Sequence, residues 1–376
     1  MRIGITCYPV YGGSGVVATE LGKALAQRGH EIHFIAYSLP FRLSPAMDNI
    51  YFHEVRVTQY PLFDFPPYAL SLTSAMVDVA RYEKLDLLHV HYAIPHATSA
   101  VLARTILEQD GHRVPVVTTL HGTDITIVGK DPSFAPVVTW SINASDGVTA
   151  VSDFLRRETI EQFDLHQPIE VIPNFVDTEA FRPQDKTGLK KSFCPGNEAL
   201  IMHVSNFRRV KNVHHAVEVL HRLRRDHVAA RLVLVGDGPD RSRAEHLART
   251  RGVYDDVRFL GKQDPISELL PAADLFLLPS GSESFGLAPL EAMACGVPTV
   301  CSDIGGLPEL VGDSGSGFLC PLGDVDAFAA ACRTLIADEA LRSDMAARAR
   351  QHALLNFDIA AIVPRYEAHY RKVVVG

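Results

Sequence analysis

The chain alternates short apolar runs with amphipathic stretches, and this alternation restricts its fold more than any other feature. Runs such as LDLLHVH and VPVVTTLH have the length and the β-branched content of buried strands. Stretches with helical periodicity, such as GVVATELGKALAQRG, lie between them. Strands that alternate with helices form a parallel sheet with helices on both faces. The sequence therefore predicts an α/β fold of the doubly wound, Rossmann-like class.

The alternation occurs twice along the chain. The strand-like runs of the first half are RIGITC, HEIHFIA, LDLLHVH, VPVVTTLH and GVTAV, and those of the second are EALIMHVSNF, ARLVLVGDG, DVRFLG, DLFLLPS and PTVCSD. The segment VIPNFVDTEAFRPQDKTG between the halves has two prolines and no clear period, which is typical of a linker. We predict domains at residues 1–172 and 186–355, a linker at 173–185 and a C-terminal helix at 356–376. Two such domains imply a central cleft, with ligands at the carboxyl ends of the strands.

Charge and composition exclude several classes of partner. A formal net charge of −8 over 376 residues argues against nucleic-acid binding. The N-terminus lacks the features of a signal peptide, and no run approaches the roughly 18 apolar residues of a membrane span, so no membrane partner is expected. The absence of C-x-x-C pairs favours reduced core cysteines in a cytoplasmic protein. The six cysteines are Cys7, Cys194, Cys295, Cys301, Cys320 and Cys332.

A glycine-rich turn follows the first predicted strand, with Ser14 between Gly13 and Gly15. From Gly13 it matches G-x-G-x-x-A, the dinucleotide-binding fingerprint. The acidic residue that such a site needs about 20 positions later, at the end of the second strand, is missing. Glycine still lets backbone amides approach a ligand, and the start of the next helix favours an anion. An anion-binding turn and a tight turn without a ligand both fit these residues.

A second loop, after the run DLFLLP, carries Glu283 and Glu291 with seven residues between them. A helix is predicted to begin near Phe285, so the backbone amides of Phe285, Gly286 and Leu287 suit a diphosphate. The two carboxylates would flank this anion site, as a ligand with sugar hydroxyls on both sides of a diphosphate requires. The alternative is a helix cap at Glu283 and a solvated helix residue at Glu291.

These motifs resemble those of the retaining nucleotide-sugar glycosyltransferases of family 4, which have the two-domain glycosyltransferase B fold. The resemblance covers nearly the whole chain, through GGSG, LHGTD, PNFVD, SNFRRVKN, GDGP and an E-x(7)-E motif followed by GVPTV and GGLPE. In the first half, GITCYPVYGGSGVVATELG, HEIHFIAYSLPFRL, HYAIPHA and TTLHGTDIT are most similar to a branch of the family in bacillithiol biosynthesis. That branch transfers N-acetylglucosamine from UDP-N-acetylglucosamine to L-malate. The resemblance implies an acceptor-binding first domain, a donor-binding second domain and a last helix that crosses back to the first.

The resemblance also implies roles for single residues on the donor side. Glu283 would contact the hydroxyls of the donor sugar, and Glu291 would contact the ribose. His121, which ends the run VPVVTTL, would contact the donor sugar and help to stabilise the transition state. The catalytic residues are then His121, Arg208, Lys211 and Glu283. The donor-binding residues are Gly13, Asn206, Arg208, Lys211, Gln263, Glu283, Phe285, Gly286, Leu287 and Glu291.

One basic motif departs from the family pattern. The family neutralises the diphosphate with the arginine and lysine of G-R-x-x-x-x-K, but this chain has Ser205 and Asn206 in place of Gly-Arg. Lys211 falls at the position of the lysine. The second charge comes from Arg208, which we favour, or from Arg209, unless Asn206 donates only a hydrogen bond. A solvated basic loop is the alternative for the whole cluster.

Malate is a small dianion, so its site needs hydrogen-bond donors. Tyr92 resembles the acceptor-site tyrosine of the family. The predicted acceptor-binding residues are Ser14, Gly15, Tyr92, Thr119, Gly122 and Thr123. His89, His91 and His96 would suit a metal, but neither carboxylate nor cysteine accompanies them at ligand spacing, so packing roles are favoured.

No metal and no other cofactor are expected for the reaction. The D-x-D motif of metal-dependent sugar transferases is matched only by Asp324-Val325-Asp326, where a helix begins and aspartate is a preferred cap. Lys211, an arginine and the amides after Phe285 can stabilise the charge on the departing diphosphate. Retention of configuration is compatible with a covalent carboxylate intermediate or with the front-face route that the family resemblance implies.

Other functions stay open at this point. The same scaffold can use another acceptor, such as inositol phosphate, a sugar or a lipid. A nicotinamide dehydrogenase is disfavoured by the missing ribose-binding acid. A non-catalytic sensor of nucleotide sugars would need the same donor site. The oligomeric state is open as well, with a homodimer among the options.

Overall fold

The computed structural model describes residues 1–10, 12–44, 47–57, 64–312 and 314–375. The chain forms two compact units, Met1–Asn174 with Ile359–Gly376, and Phe175–Asp358. They are called the first unit and the second unit below. Each has a parallel β-sheet with helices packed against it, so the predicted α/β class with two Rossmann-like domains is confirmed.

The first unit contains a seven-stranded parallel sheet. Its strands are β1 (Arg2–Thr6), β2 (Glu31–Ala36), β3 (Ile50–Glu54), β4 (Leu87–His91), β5 (Val116–Leu120), β6 (Gly147–Ala150) and β7 (Ile169–Val171). Their order across the sheet is β3-β2-β1-β4-β5-β6-β7. The apolar runs predict five of these strands and miss β3 and β7. Both lie at an edge of the sheet, where a strand is half-exposed or short and needs no continuous apolar run.

The second unit contains a six-stranded parallel sheet. Its strands are β8 (Ala199–Val204), β9 (Ala230–Val235), β10 (Val257–Gly261), β11 (Leu275–Leu278), β12 (Thr299–Ser302) and β13 (Gly317–Cys320). Their order is β10-β9-β8-β11-β12-β13. Five of the six are predicted from the sequence, and β13, a four-residue edge strand that begins with glycine, is missed.

Twelve α-helices lie in the described part of the chain. They are α1 (Gly13–Gln27), α2 (Tyr68–Glu83), α3 (Thr98–Gln109), α4 (Ala135–Asn143), α5 (Asp153–Gln162), α6 (Thr187–Phe193), α7 (Val213–Arg225), α8 (Arg241–Thr250), α9 (Leu287–Ala294), α10 (Val325–Ala337), α11 (Glu339–Asn356) and α12 (Ile359–Val375). Among the described residues, no helix is both long enough and apolar enough to cross a membrane.

The last helix, α12, belongs to the first unit. It buries Tyr366 and Tyr370 completely. Its Glu367 accepts two hydrogen bonds from Arg28, at 2.8 and 2.9 Å, and is 3.0 Å from Nε2 of His30. Aromatic burial and an ion pair with a nearly buried carboxylate therefore hold the C-terminal residues against the N-terminal helix α1.

Candidate active site

Each sheet reverses its strand order at one point, and ligands bind at such reversal points in doubly wound folds. The reversal falls between β1 and β4 in the first unit, and between β8 and β11 in the second. Gly12 and the first residues of α1, from Gly13, follow β1, and Tyr92 follows β4. Asn206 follows β8, and Glu283 lies in the loop after β11. These four features therefore lie at the reversal point of their own sheet.

Two loops of the second unit are joined by an ion pair. Lys211 Nζ donates to Oε1 of Glu283 at 2.6 Å, and the hydroxyl of Ser280 donates to the same oxygen at 2.9 Å. The backbone N–H of Gly281 also donates to the carbonyl of Val210 at 2.7 Å. The side chains of Lys211 and Glu283 are 21% and 12% exposed, so both groups stay accessible. The structure thus brings together two of the predicted catalytic residues and fixes their separation.

The glycines of GGLPE support the loop that carries Glu283. The N–H of Gly306 donates to the carbonyl of Glu283 at 2.9 Å. A Cβ on Gly305 would lie 1.9 Å from that same carbonyl oxygen, and a Cβ on Gly306 would lie 2.3 Å from the carbonyl oxygen of Ser284. Because Gly305 also has a φ of +60°, only glycine fits there without moving the loop.

Helix α9 begins at Leu287, two residues beyond the predicted start at Phe285. Gly286 precedes it with a φ of +105°, and both Phe285 and Gly286 are buried. The first backbone N–H groups of this eight-residue helix have no partner within the helix itself, which suits an anion. Glu291, on its second turn, is only 7% exposed, so the solvated alternative for Glu291 is wrong.

The loop after β8 is held by a buried histidine. Nδ1 of His203 donates to the carbonyl of Leu277 at 2.9 Å, so its Nε2 accepts a hydrogen bond from the hydroxyl of Ser205 at 2.8 Å. Ser205 Oγ in turn accepts from the N–H of Phe207 at 3.3 Å. Burial lowers the pKa of His203 to about 4, which keeps this ring neutral. The serine that replaces the family glycine is therefore part of the loop's support, a role that the sequence did not reveal.

The remaining donor-side predictions differ in their surroundings. Arg208 and Arg209 are both exposed, and neither side chain forms a hydrogen bond or an ion pair within the part of the chain that the structure describes. Their geometry does not separate them as diphosphate ligands. The Oδ1 atom of Asn206 is buried without a hydrogen-bond partner among the described residues. Gln263 lies two residues beyond β10, two strands away from β8, and donates to the carbonyl of Leu260.

In the first unit, the hydroxyl of Tyr92 donates to Ser14 Oγ at 2.9 Å and also interacts with Thr123. Burial raises the pKa of Tyr92 to about 12, so the phenol stays protonated. Gly13 opens α1 and is exposed, so its backbone faces solvent at a helix N-terminus. Ser14, Tyr92 and Thr123 are thus brought together, as the acceptor-site prediction requires.

Two predicted acceptor residues are placed differently. Gly15 is buried, and a Cβ there would lie 2.6 Å from the carbonyl oxygen of Tyr8. The glycine is therefore needed for close packing of the backbone. Thr119 is fully buried, and its hydroxyl is 2.7 Å from both His89 Nε2 and Thr149 Oγ1. Its side chain supports the sheet from within because all of its hydrogen-bonding capacity is directed inward.

His121 lies directly after β5, as predicted, and forms a pair with His91. Nε2 of His121 is 2.8 Å from Nδ1 of His91, and the two rings stack with centroids 5.0 Å apart. The ring of Tyr92 lies 5.4 Å from that of His121. Burial lowers the pKa of His121 to about 3, with a smaller effect from His96. His121 is therefore a neutral imidazole that can exchange hydrogen bonds at Nδ1 but carries no positive charge.

Asp124 organises this region, and the sequence analysis did not select it. Its Oδ1 accepts from the N–H of Gly122 at 2.9 Å, and its Oδ2 accepts from the N–H of Ala93 at 3.0 Å. Burial raises the pKa of Asp124 to about 6, while the backbone N–H groups act in the opposite direction. Gly122, with a φ of +115°, lets the chain turn back over the carboxylate. The available signal was an acidic residue in the loop directly after a predicted strand, where ligands bind in doubly wound folds.

The histidine layer has a second support from α12. The hydroxyl of Tyr370 is 2.8 Å from Nδ1 of His89, whose ring lies 4.5 Å from that of His91. His89 and His91 are fully buried, which agrees with the packing role favoured for them. The contact between Tyr370 and His89 joins residues 281 positions apart, so no local sequence signal predicts it.

The D-x-D motif has the structural role expected of it. Asp324 caps α10 by accepting a hydrogen bond from the N–H of Ala327 at 2.9 Å. Asp326 accepts a hydrogen bond from Arg222. Both carboxylates of the motif thus form hydrogen bonds within the protein that stabilise the start of α10 and its contact with Arg222.

Comparison with known proteins agrees with this arrangement. The sequence model of the protein family described as "Glycosyltransferase Family 4" matches residues 11–180. The family model described as "Glycosyl transferases group 1" matches residues 185–352. The chain is 48% identical over 375 residues to the N-acetyl-alpha-D-glucosaminyl L-malate synthase of Bacillus anthracis, covering 100% of this chain and 97% of that protein. It is 28% identical over 376 residues to D-inositol 3-phosphate glycosyltransferase 2 of Catenulispora acidiphila, covering 91% of this chain and 86% of that protein.

Solved structures show the same fold at lower identity. Anabaena HepE in complex with UDP-glucose superimposes with a TM-score of 0.84 at 22% identity, covering 99% of this chain and 100% of that one. The sucrose-phosphate synthase of Thermosynechococcus elongatus gives a TM-score of 0.83 at 21% identity, covering 100% and 99%. Two doubly wound units with motifs at their reversal points thus define a glycosyltransferase of the B fold. The chain belongs to the family-4 glycosyltransferases.

Proposed function

We propose that this enzyme transfers N-acetylglucosamine from UDP-N-acetylglucosamine to the hydroxyl of L-malate with retention of the α configuration, the first step of bacillithiol biosynthesis. The observation that carries the proposal is the 48% identity to the B. anthracis synthase along the whole chain. That match includes the first unit, whose Ser14, Tyr92 and Thr123 form the proposed acceptor contacts. A match confined to the donor half would leave the acceptor unspecified.

On the donor side, the second unit supplies positive charge and backbone N–H groups. Lys211 and the amides at the start of α9 bind the diphosphate and stabilise the charge that grows on it as the sugar leaves. The ion pair with Glu283 holds the ammonium in place and offsets the carboxylate charge near the phosphate. Glu283 then uses its free oxygen for the sugar hydroxyls, and Glu291 binds the ribose. Arg208 adds a second cation from its exposed loop.

On the acceptor side, the carboxylates of malate need donors that are already oriented. The hydroxyls of Ser14 and Thr123 and the amides of Gly13 and Ser14 supply them. Tyr92 positions Ser14 through their 2.9 Å hydrogen bond. His121, neutral and stacked on His91, donates or accepts at the donor sugar without adding charge.

We further propose a front-face route, in which the departing phosphate takes the proton of the malate hydroxyl. A covalent route would need an accessible carboxylate beside His121. Asp124 is the carboxylate whose contacts with backbone N–H groups join it to His121, and it is 2% exposed. Its oxygens already accept from the backbone of Ala93 and Gly122, which leaves it poorly placed as a nucleophile.

The reaction is proposed to need no metal, since Lys211, an arginine and helix amides can carry the phosphate charge. Full activity is expected in excess chelator. Activity that is lost on chelation and restored by magnesium or manganese would contradict this part of the proposal. The six buried, unpaired cysteines support a cytoplasmic location, where thiols stay reduced.

The decisive experiment measures UDP release from UDP-N-acetylglucosamine with L-malate, inositol phosphate and simple sugars as separate acceptors. Release with malate is expected, and it should be abolished in Glu283→Ala while circular dichroism stays unchanged. Release with inositol phosphate alone would replace the acceptor but keep the enzyme class. Nucleotide-sugar binding without release from any acceptor would favour a sensor.

Acceptor binding has its own variant pair. Tyr92→Phe removes the hydroxyl that holds Ser14 and should raise the KM for malate, with less effect on the KM for the donor. Tyr82→Phe, on the exposed face of α2 at 81% exposure, is the matched control and should leave both constants unchanged. Equal effects of Tyr92→Phe on both KM values would place this tyrosine outside the acceptor site.

A further inference from the structure

A second cluster of chemically active side chains lies on the edge of the first sheet. His33 is on β2, His53 is on the edge strand β3, and Glu83 is the last residue of α2. In the parallel register His33 lies opposite Tyr51, and Ile35 lies opposite His53. Because side chains alternate along a strand, His33 and His53 emerge on the same face of the sheet. One atom of each imidazole and one carboxylate oxygen of Glu83 lie within 4.8 Å of one another.

The two histidines face each other through ring nitrogens. Nδ1 of His33 is 3.0 Å from Nε2 of His53, and the rings are nearly parallel with centroids 5.2 Å apart. His33 is fully buried, whereas His53 and Glu83 are half-buried and reachable from solvent. The carboxylate of Glu83 has no hydrogen bond or ion pair within the described part of the chain. A half-buried carboxylate without a hydrogen bond or an ion pair among the described residues thus lies beside two converging nitrogens.

The opposite side of His33 is also defined. Its Nε2 is 3.0 Å from Oε1 of Glu31. An ionised carboxylate can only accept a hydrogen bond, so Nε2 carries the proton. The lone pair of His33 is therefore on Nδ1 and points toward His53. A histidine that donates one N–H to a carboxylate and presents the other nitrogen as a lone pair is the usual arrangement of a metal-binding histidine.

We propose that His33 Nδ1, His53 Nε2 and a carboxylate oxygen of Glu83 bind one divalent transition-metal ion, of which zinc fits best, with water as the fourth ligand. Two imidazoles and a carboxylate are a zinc-type set, and bonds of about 2.0–2.2 Å place neighbouring ligands roughly 3.3 Å apart in a tetrahedron. The 3.0 Å separation of the two nitrogens is close to that value. Glu83, at the end of its helix, needs to approach by about 1.5 Å or less.

The position of the site assigns it a structural role. It joins the edge strand β3, its neighbour β2 and the end of α2, and it lies on the far side of β2 from the reversal point between β1 and β4. The ion would hold the edge of the sheet and take no part in glycosyl transfer. Without the ion, the same atoms share one proton between the two histidines. A metal ion and a proton thus compete for the space between the two histidines, and metal-binding measurements distinguish the two states.

The test uses the full chain, without a histidine tag, after removal of bound metal. Zn²⁺ is titrated against a chelator of known affinity, and Co²⁺ is added separately to record the visible absorption of a tetrahedral complex. We expect one ion per chain, with binding at least 100-fold weaker in His53→Gln and in Glu83→Gln. Glu31→Gln keeps all three ligands but replaces the charged acceptor of the His33 proton with a neutral amide oxygen, and it should weaken binding by about 10-fold or more. His112→Gln, an exposed histidine of the same unit, is the matched control and should bind as the wild type does.

A readout of folding distinguishes a metal site from a purely structural histidine pair. Zn²⁺ should raise the unfolding midpoint of the wild type and leave that of His53→Gln unchanged. Transferase activity should be the same in the metal-free and zinc-loaded wild type, so the outcome does not depend on the proposed function. Stoichiometric binding that is undiminished in both His53→Gln and Glu83→Gln, or no stoichiometric binding by the wild type, would overturn the proposal.

Discussion

Replacing Glu367 by glutamine tests how firmly the C-terminal helix is held in the first unit. The side chain of Glu367 is 6% exposed and receives two hydrogen bonds from Arg28. Hydrogen bonding by the guanidinium of Arg28 lowers the pKa of Glu367 from its ordinary value of 4.5 to about 2, and His30 contributes to the same effect. Glutamine keeps the size of the side chain and removes the charge.

The magnitude follows from that pKa. One pKa unit corresponds to about 1.36 kcal/mol, so the difference between 4.5 and about 2 has an upper limit of roughly 3 kcal/mol. The side chain of Arg28 is 43% exposed, and screening by water reduces the expected loss to about 1–2 kcal/mol at pH 7. Because the folded pKa is the lower one, the stabilisation is present above pH 4.5 and is lost as the pH falls toward 2. The difference in the free energy of unfolding between wild type and variant should stay constant from about pH 7 to 5. It should become smaller by roughly a third or more at pH 3.5.

The chain offers a probe for this unit alone. Trp140, its one tryptophan, lies on α4 in the first unit, so its fluorescence during urea unfolding reports that unit even if the two units unfold separately. Glu161→Gln, at an exposed position of α5, is the matched control and should change stability by less than about 0.5 kcal/mol. The reasoning is refuted if Glu367→Gln loses no more than this control at pH 7, or if its loss is undiminished at pH 3.5.

Three further predictions concern the candidate active site. Lys211→Met should lower kcat by about 10²–10³-fold, whereas exposed Lys191→Met should not; equal activities would remove Lys211 from the catalytic set. Gly305→Ala places a Cβ 1.9 Å from the carbonyl oxygen of Glu283 and should lower activity at least tenfold. Its control is Gly323→Ala, where φ is a similar +79° but the space is open; this change should cost only about 1–2 kcal/mol of stability. Because the pKa of Asp124 is raised to about 6 and its ionised form accepts the backbone N–H groups, wild-type kcat/KM should fall below about pH 6. Asp124→Asn should be less active and lack that limb, and an unchanged limb would contradict the assignment.

Sequence alone predicted the central strands because they are buried on both faces and read as continuous apolar runs. Three of the four edge strands, β3, β7 and β13, escaped it, since a half-exposed or very short strand carries no such run. Glu283 and Lys211 were recognised through motifs, and their loops were placed correctly because each follows a strand. Their 2.6 Å contact was not predictable, because it joins positions 72 residues apart. The supporting residues Ser205, Asp124 and Tyr370 were missed for the same reason, as their partners are set by tertiary packing.

Membership of α12 in the first unit has a consequence for synthesis of the chain. The first unit begins at Met1 but is completed only after Phe175–Asp358 has been made. At about 5–20 residues per second, that interval lasts roughly 10–40 s. Until then Arg28 lacks Glu367, and His89 lacks Tyr370. The unit translated first is therefore the last to be finished, and a nascent or C-terminally shortened chain would expose the surface that Tyr366 and Tyr370 cover in the mature fold.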